Sequence, residues 1–293
     1  HDRGGRLRSE LAMVAGGDMS SAGAAGKGDG VAVAAPGSFL VDMSVLVLGC
    51  LLAVIGGLVN TISLMQLGTF VSNLGGLYSK IALPARRGLM GEHEGWQEMG
   101  TVAGLVLCFC AGAALTGFIA GRNDLRVVRL GHELYGIVLL LNSLLLLITA
   151  FASEESWAKF VPSFVCGLQN AMCTLHLGAI VRTVHCGGLA TDAGTAAGEL
   201  LYIGGVGGMR RRLDEEDLGL VWDALRKLRL YVVLGFGFLF GAALAGYLVE
   251  GLGKYALLVP ALISFAIGAL YLLFRRPLQL YLLRSGRVDL TLP

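Results

Sequence analysis

The chain has 293 residues, 55% of them hydrophobic and only 15% charged, with a mean hydropathy of +0.70. A water-soluble domain of this size needs far more charged surface, so water is not expected to be its only solvent. The net charge of +2 excludes little; the placement of the charges along the chain says much more.

Residues 1–38 open with Arg3, Arg6 and Arg8 and continue as a Gly/Ala/Ser-rich stretch, the composition of a disordered arm. This arm reads as what processing of a targeting sequence leaves, or as a start downstream of the natural one. Met43–Ser79 follows without a single Asp, Glu, Lys or Arg. As one helix it would run for roughly 55 Å, against a hydrocarbon core of about 30 Å. A break is therefore expected, with Gly68, Gly75 and Gly76 as the places for it. The reading is a span to about Met65 and then an irregular or re-entrant segment. Further uncharged runs cover Met99–Gly121, Leu134–Ser153, Phe160–Val181, Leu230–Val249 and Tyr255–Phe274. About 20 helical residues cross a bilayer, so each run is long enough for one span. In the second half a span over about Trp157–Leu177 is followed by a Gly-rich stretch to Gly208, which repeats the pattern of the first. Arg210-Arg211-Arg212 then leads into Asp214–Asp217, and Leu218, Val221, Trp222, Leu225 and Leu228 recur at helical spacing. An amphipathic interfacial helix is expected near 213–229, anchoring the fifth span, with anionic lipid near the three arginines.

The expected fold is thus an all-α integral membrane protein of six transmembrane helices. With one span per run, 18 Lys/Arg lie on one side of the membrane and 5 on the other. That places both termini on the positive side, cytoplasmic, matrix or stromal, in an organelle membrane if the arm is a processed one.

Two internal matches point to duplication. Gly112-Ala113-Ala114-Leu115-Thr116-Gly117-Phe118 matches Gly241-Ala242-Ala243-Leu244-Ala245-Gly246-Tyr247. Gly57-Leu58-Val59-Asn60 matches Gly167-Leu168-Gln169-Asn170, and Leu67-Gly68 matches Leu177-Gly178 at the same offset. The halves are residues 39–153 and 154–274, with a tail over 275–293. Three spans per half is an odd number, so the halves must cross in opposite senses, a recurring design of secondary transporters with sites near the midplane. Gly100/Gly104, Gly117/Gly121 and Gly237/Gly241 have the spacing that allows close helix approach.

Polar side chains in lipid usually face a bundle interior or cavity. The candidates for substrate contact are Asn60, Gln66, Ser72, Asn73, Gln169, Asn170, Arg182, Thr183, His185 and Asp192, with Asn142 and His176 as further buried polar positions. Asn60 and Asn170 occupy matching places in the two halves. The plainer reading of each amide is a hydrogen bond to a facing helix. Arg182 fits a snorkelling anchor as well as an anion contact. Cys50, Cys108, Cys110, Cys166, Cys173 and Cys186 show neither a disulfide framework nor zinc spacing, and Cys108 and Cys110 point about 200° apart on a helix. No cofactor, metal site, catalytic constellation or nucleic-acid surface is expected.

Gly167-Leu168-Gln169-Asn170-Ala171, Arg182-Thr183-Val184-His185 and Thr191-Asp192-Ala193-Gly194 resemble a motif set of the YoaK-like family of uncharacterised membrane proteins. Phe70–Leu77 is a weaker counterpart in the first half, and the resemblance covers roughly Phe39 to Phe274. It implies a multi-span protein of about six helices and supplies no substrate. Gly75 and Gly187 stand where the family's Thr-Gly pairs carry threonine, and Leu77 where an Asn follows, so hydroxyl contacts there are lost from both halves. The expected function is a small-solute or ion transporter with a site at the repeat interface. The alternative is a non-transporting accessory or structural subunit of a larger membrane complex, with the interfacial helix and the arm supplying contacts.

Overall fold

The computed structural model describes residues 36–120, 134–177, 186–210 and 215–284. Among them the chain is helical throughout, with no strand. The helices are α1 (Pro36–Leu67), α2 (Leu74–Leu89), α3 (His93–Ala120), α4 (Leu134–Phe151), α5 (Phe160–Leu177), α6 (Cys186–Arg210), α7 (Glu215–Leu252) and α8 (Leu258–Arg284), with a 3₁₀ turn at Gly253–Tyr255. Packing separates His1–Ser38 from Phe39–Pro293. Of the first unit only Pro36–Ser38, the first residues of α1, are described. Everything below concerns the second.

Apolar composition and length make three helices fit to cross a membrane, over Leu46–Leu67, His93–Ile119 and Asp217–Tyr255. Tyr135–Phe151 and Leu258–Phe274 are shorter apolar helices. Phe118 is 84% exposed and Leu201 78%, and Phe236 and Tyr247 are exposed as well. Large side chains turned outward on helices this apolar suit hydrocarbon as the surrounding solvent. The amphipathic stretch before the fifth apolar run does not form a separate helix. It continues without a break into that run as the single helix α7, because no glycine in a left-handed conformation or proline interrupts it.

The break in Met43–Ser79 falls at Gly68, whose φ of +72° lies in the left-handed region and whose N–H bonds back to Leu64 O at 3.2 Å. Gly75 and Gly76, the other expected breakers, sit inside the first turn of α2. The later Gly-rich stretch is also helical from Cys186 to Arg210. Glycine weakens a helix by only about 1 kcal/mol, and in lipid an unpaired peptide group costs several times more, so composition alone does not open the backbone.

The helices pack α3 on α5, α4 on α8, α2 on α3, α6 on α7 and α4 on α5. The closest crossings are made by glycine. A Cβ placed on Gly57 of α1 would collide with Phe238 O of α7, and one on Gly241 of α7 with Val54 O of α1. In the same way Gly112 of α3 opposes Phe164 O of α5, and Gly167 of α5 opposes Phe109 O of α3. Over a longer stretch Arg229 of α7 meets Met43 of α1 and Gly241 meets Val54, while Gly104 of α3 lies against Phe160 of α5 and Thr116 Oγ1 bonds Leu168 O, so α1 runs parallel to α7 and α3 parallel to α5. Two other pairs run in opposite directions. Tyr135 meets Tyr271 with ring centroids 5.3 Å apart and Phe151 meets Tyr255 at 5.9 Å, which sets α4 against α8. Gln169 Nε2 of α5 donates to Leu52 O of α1 at 2.7 Å, while Ser163 Oγ reaches Val71 O beyond the far end of α1. Of the other glycines expected to pack closely, Gly237 lies against Cys50 and Gly104 against Phe160, whereas Gly100 and Gly117 face open space.

Two predictions follow from these contacts. Gly57→Ala or Gly167→Ala is expected to destabilise the fold by about 1–3 kcal/mol, because helix backbones must move apart. Gly117→Ala removes only the helix penalty of glycine and is expected to stabilise slightly. Thermal unfolding midpoints in detergent separate the two signs. At the surface, Glu154 pairs with Lys254 at 2.9 Å, and this partner lowers the Glu154 carboxyl below the usual carboxylate range, first through the hydrogen bond and then through charge. A folded-state pKa below the unfolded one gives stability that is present above the unfolded value and lost as pH falls through the folded one. The difference in midpoint between the native chain and Glu154→Gln is therefore expected to be small at neutral pH and to vanish in acid.

Candidate functional site at the helix break

Six residues, Gly68 to Asn73, separate α1 from α2. A backbone that leaves the helix inside an apolar protein must find new partners. Asn60 provides them from two turns back along α1. Its Oδ1 accepts from Val71 N and Ser72 N, both at 3.2 Å, and from Ser72 Oγ at 2.8 Å. Asn60 and Ser72 are each 6% exposed, and Val71 is fully buried. Asn73 then caps α2, its Oδ1 accepting from Gly76 N at 3.2 Å. On the other side Ser163 Oγ of α5 lies 3.0 Å from Val71 O and 2.8 Å from Leu105 O of α3, so its single proton serves either carbonyl. The break is thus held between α1, α3 and α5.

The remaining sequence candidates distribute around this core. Gln169 is buried and spends its amide N–H on Leu52 O. Gln66 donates to Gly253 O, which ties α1 to the turn after α7, while its buried Oε1 has no partner. Asn170, the counterpart of Asn60, is half-buried, and its Oδ1 is buried without a partner. Asp192 is half-buried on α6, away from the break in sequence. Arg182, Thr183 and His185 lie outside the described residues, as do the side chain of His176 and Arg211 and Arg212. Arg210 closes α6, and nothing is described of its side chain.

Sequence reasoning did not single out Ser163, Ser63 or Ser264, all fully buried. A hydroxyl in an apolar run normally bonds the carbonyl four residues back, as Thr116 does to Gly112 O and Thr149 to Leu145 O, so its presence is no signal of a special role. Every side chain in the described core that is both polar and buried is an amide or a hydroxyl. The arrangement can offer hydrogen bonds. It offers no buried charge.

Apolar spanning-length helices packed through small residues, with a broken helix held by amide and hydroxyl groups, mark an integral membrane protein. Its family follows from comparison: residues 48–270 match the model of DUF1275, described as a protein of unknown function, and the chain belongs to that family. The match is consistent with the resemblance to YoaK-like proteins. The chain matches no curated protein and no solved structure.

Removing Asn60 would strand the Val71 and Ser72 N–H groups in an apolar setting. Asn60→Ala is expected to lose about 1–3 kcal/mol for each orphaned donor. Thermal unfolding together with protease sensitivity at 68–73 checks it; an unaltered midpoint would mean the break is held by other contacts.

Proposed function

We propose that the chain is a membrane transporter for a small uncharged solute, working where its two halves meet around the helix break. One observation carries this reading. The irregular segment Gly68–Asn73 of the first half is clasped by Ser163 of the second, and backbone that departs from the helix at membrane depth is tolerated where protein or a watery cavity receives it.

The helix directions support two inverted halves, each with three crossings. If residues 39–153 recur upside down as 154–274, α1 and α5 must run oppositely, as must α4 and α8, while α1 and α7 share a direction. Gln169 on Leu52 with Ser163 on Val71, Tyr135 on Tyr271 with Phe151 on Tyr255, and Arg229 on Met43 with Gly241 on Val54 agree with those directions. The two glycine crossings also fall on repeated residues, Gly57 with Gly167 and Gly112 with Gly241. In this arrangement the positive side would hold both termini, and anionic lipid near the Arg210–Arg212 sequence belongs to the same proposal.

An uncharged solute is favoured over an ion by the chemistry of the buried groups. An ion without a compensating charge pays heavily for leaving water, whereas a neutral solute exchanges hydrogen bonds with amides and hydroxyls. Among the described candidates Asn60, Asn73 and Gln169 are engaged by backbone and Ser72 Oγ by Asn60, which leaves Asn170 Oδ1 and Gln66 Oε1 as buried acceptors without a partner.

A second reading, an accessory subunit of a membrane complex, is favoured by that same engagement of polar groups and by the exposed Leu220 and Trp222 on the charged start of α7. The two are told apart in reconstituted liposomes. Flux of small uncharged solutes is expected, and Asn170→Ala is expected to reduce it about three- to tenfold, the worth of one hydrogen bond, with the unfolding midpoint unchanged. Absence of flux from folded protein, combined with a stoichiometric large complex on mild-detergent purification, would replace the transporter by the subunit.

A further inference from the structure

Asn142 of α4 and Ser264 of α8 are both fully buried, and neither amide atom of Asn142 nor the hydroxyl of Ser264 has a hydrogen-bond partner. Native proteins seldom leave such groups unmet. Ser264 also departs from the habit of other helical hydroxyls in the chain. Ser79, Thr116, Thr149 and Thr174 each donate to the carbonyl four residues back, and Ser264 does not.

The seam brings the two residues to one level. Tyr135 of α4 meets Tyr271 of α8. Asn142 lies seven residues after Tyr135 and Ser264 seven before Tyr271. Seven residues make about two helical turns, returning to within about 20° of the same face and advancing about 10 Å. In antiparallel helices those two steps go the same way in space. The contact of Phe151 with Tyr255, further along, keeps the same register. Asn142 and Ser264 therefore face the same stretch of the α4–α8 seam.

The chemistry of the vacant bonds defines what fits. Asn142 offers two donors and an acceptor, and Ser264 one donor and an acceptor. The amide oxygen would meet a cation and the amide N–H groups an anion, but no charged side chain is buried among the described residues to offset the charge of either. We propose that Asn142 and Ser264 form a binding site, inside the α4–α8 seam, for a small uncharged molecule that both donates and accepts hydrogen bonds, water being the smallest of that class. Bound there, the molecule accepts from Asn142 Nδ2 and donates to Asn142 Oδ1 or Ser264 Oγ. The site concerns occupancy of the seam and stands whether or not the chain moves a solute.

Water itself is the probe. The full chain, labelled with ¹⁵N at asparagine and embedded in lipid nanodiscs, is examined by NMR for magnetisation transfer from water to side-chain amides. The Asn142 signal is assigned by its loss in Asn142→Leu, or in Asn142→Gln should the first variant not fold. The expected result is a water cross-peak on the Asn142 amide that weakens in Ser264→Ala while the other asparagine signals hold their positions. An Asn142 amide without water transfer, its shift moved by Ser264→Ala, would reveal a direct Asn–Ser hydrogen bond and overturn the site. Neither result depends on flux, so failure here leaves the transporter reading where it stood.

Discussion

Hydrocarbon gives a peptide group nothing to bond to, and any departure from a helix inside it has to be compensated from within the protein. At Gly68 the chain departs. The left-handed φ of +72° ends α1, and the next peptide groups would be stranded if Asn60 did not reach forward to Val71 and Ser72. That one carboxamide oxygen makes the turn possible, and Asn73 and Ser163 complete it from either end. The position of α2 and the contact between α3 and the break depend on this set of bonds, since Ser163 reaches both Val71 O and Leu105 O.

Association of the helices depends on a different economy. In lipid the hydrophobic effect does not push apolar helices together, so backbone approach and dispersion have to. Gly57, Gly112, Gly167 and Gly241 let carbonyls of one helix lie where a side chain would otherwise be. Thr116 Oγ1 adds a hydrogen bond to Leu168 O at 3.0 Å beside one of these crossings. Close approach and a shared hydroxyl proton thus act at the same place, which makes α3 and α5 a tightly defined pair.

Much of this was legible from the residues. Uncharged runs marked the apolar helices, the 37-residue run demanded a break, and the repeated Gly-Leu-x-Asn singled out Asn60 before its bonds were known. What escaped was conformational. Gly68, Gly75 and Gly76 look alike in a sequence, yet only Gly68 takes a positive φ, because Asn73 caps a new helix and draws the other two into its first turn. The Gly-rich α6 escaped for a related reason, as glycine permits a break without compelling one. Ser163 and Ser264 were hidden because a helical hydroxyl ordinarily satisfies itself; only the packing reveals that one bridges three elements and the other has no partner.

The buried polar groups divide by what they hold. Asn60, Asn73, Ser163 and Gln169 are taken up with the chain's own backbone and Ser72 Oγ with Asn60, and their removal acts first on the fold. Asn170 Oδ1, Gln66 Oε1 and the Asn142–Ser264 pair retain bonding capacity in the interior. A purely structural bundle gains nothing from polar groups left unmet, and apolar residues of similar shape would serve packing better. Such groups at separate points, Gln66 on α1, Asn170 on α5 and the pair in the α4–α8 seam, suit the proposed meeting with small neutral molecules, and no charged side chain buried among the described residues favours an ion instead.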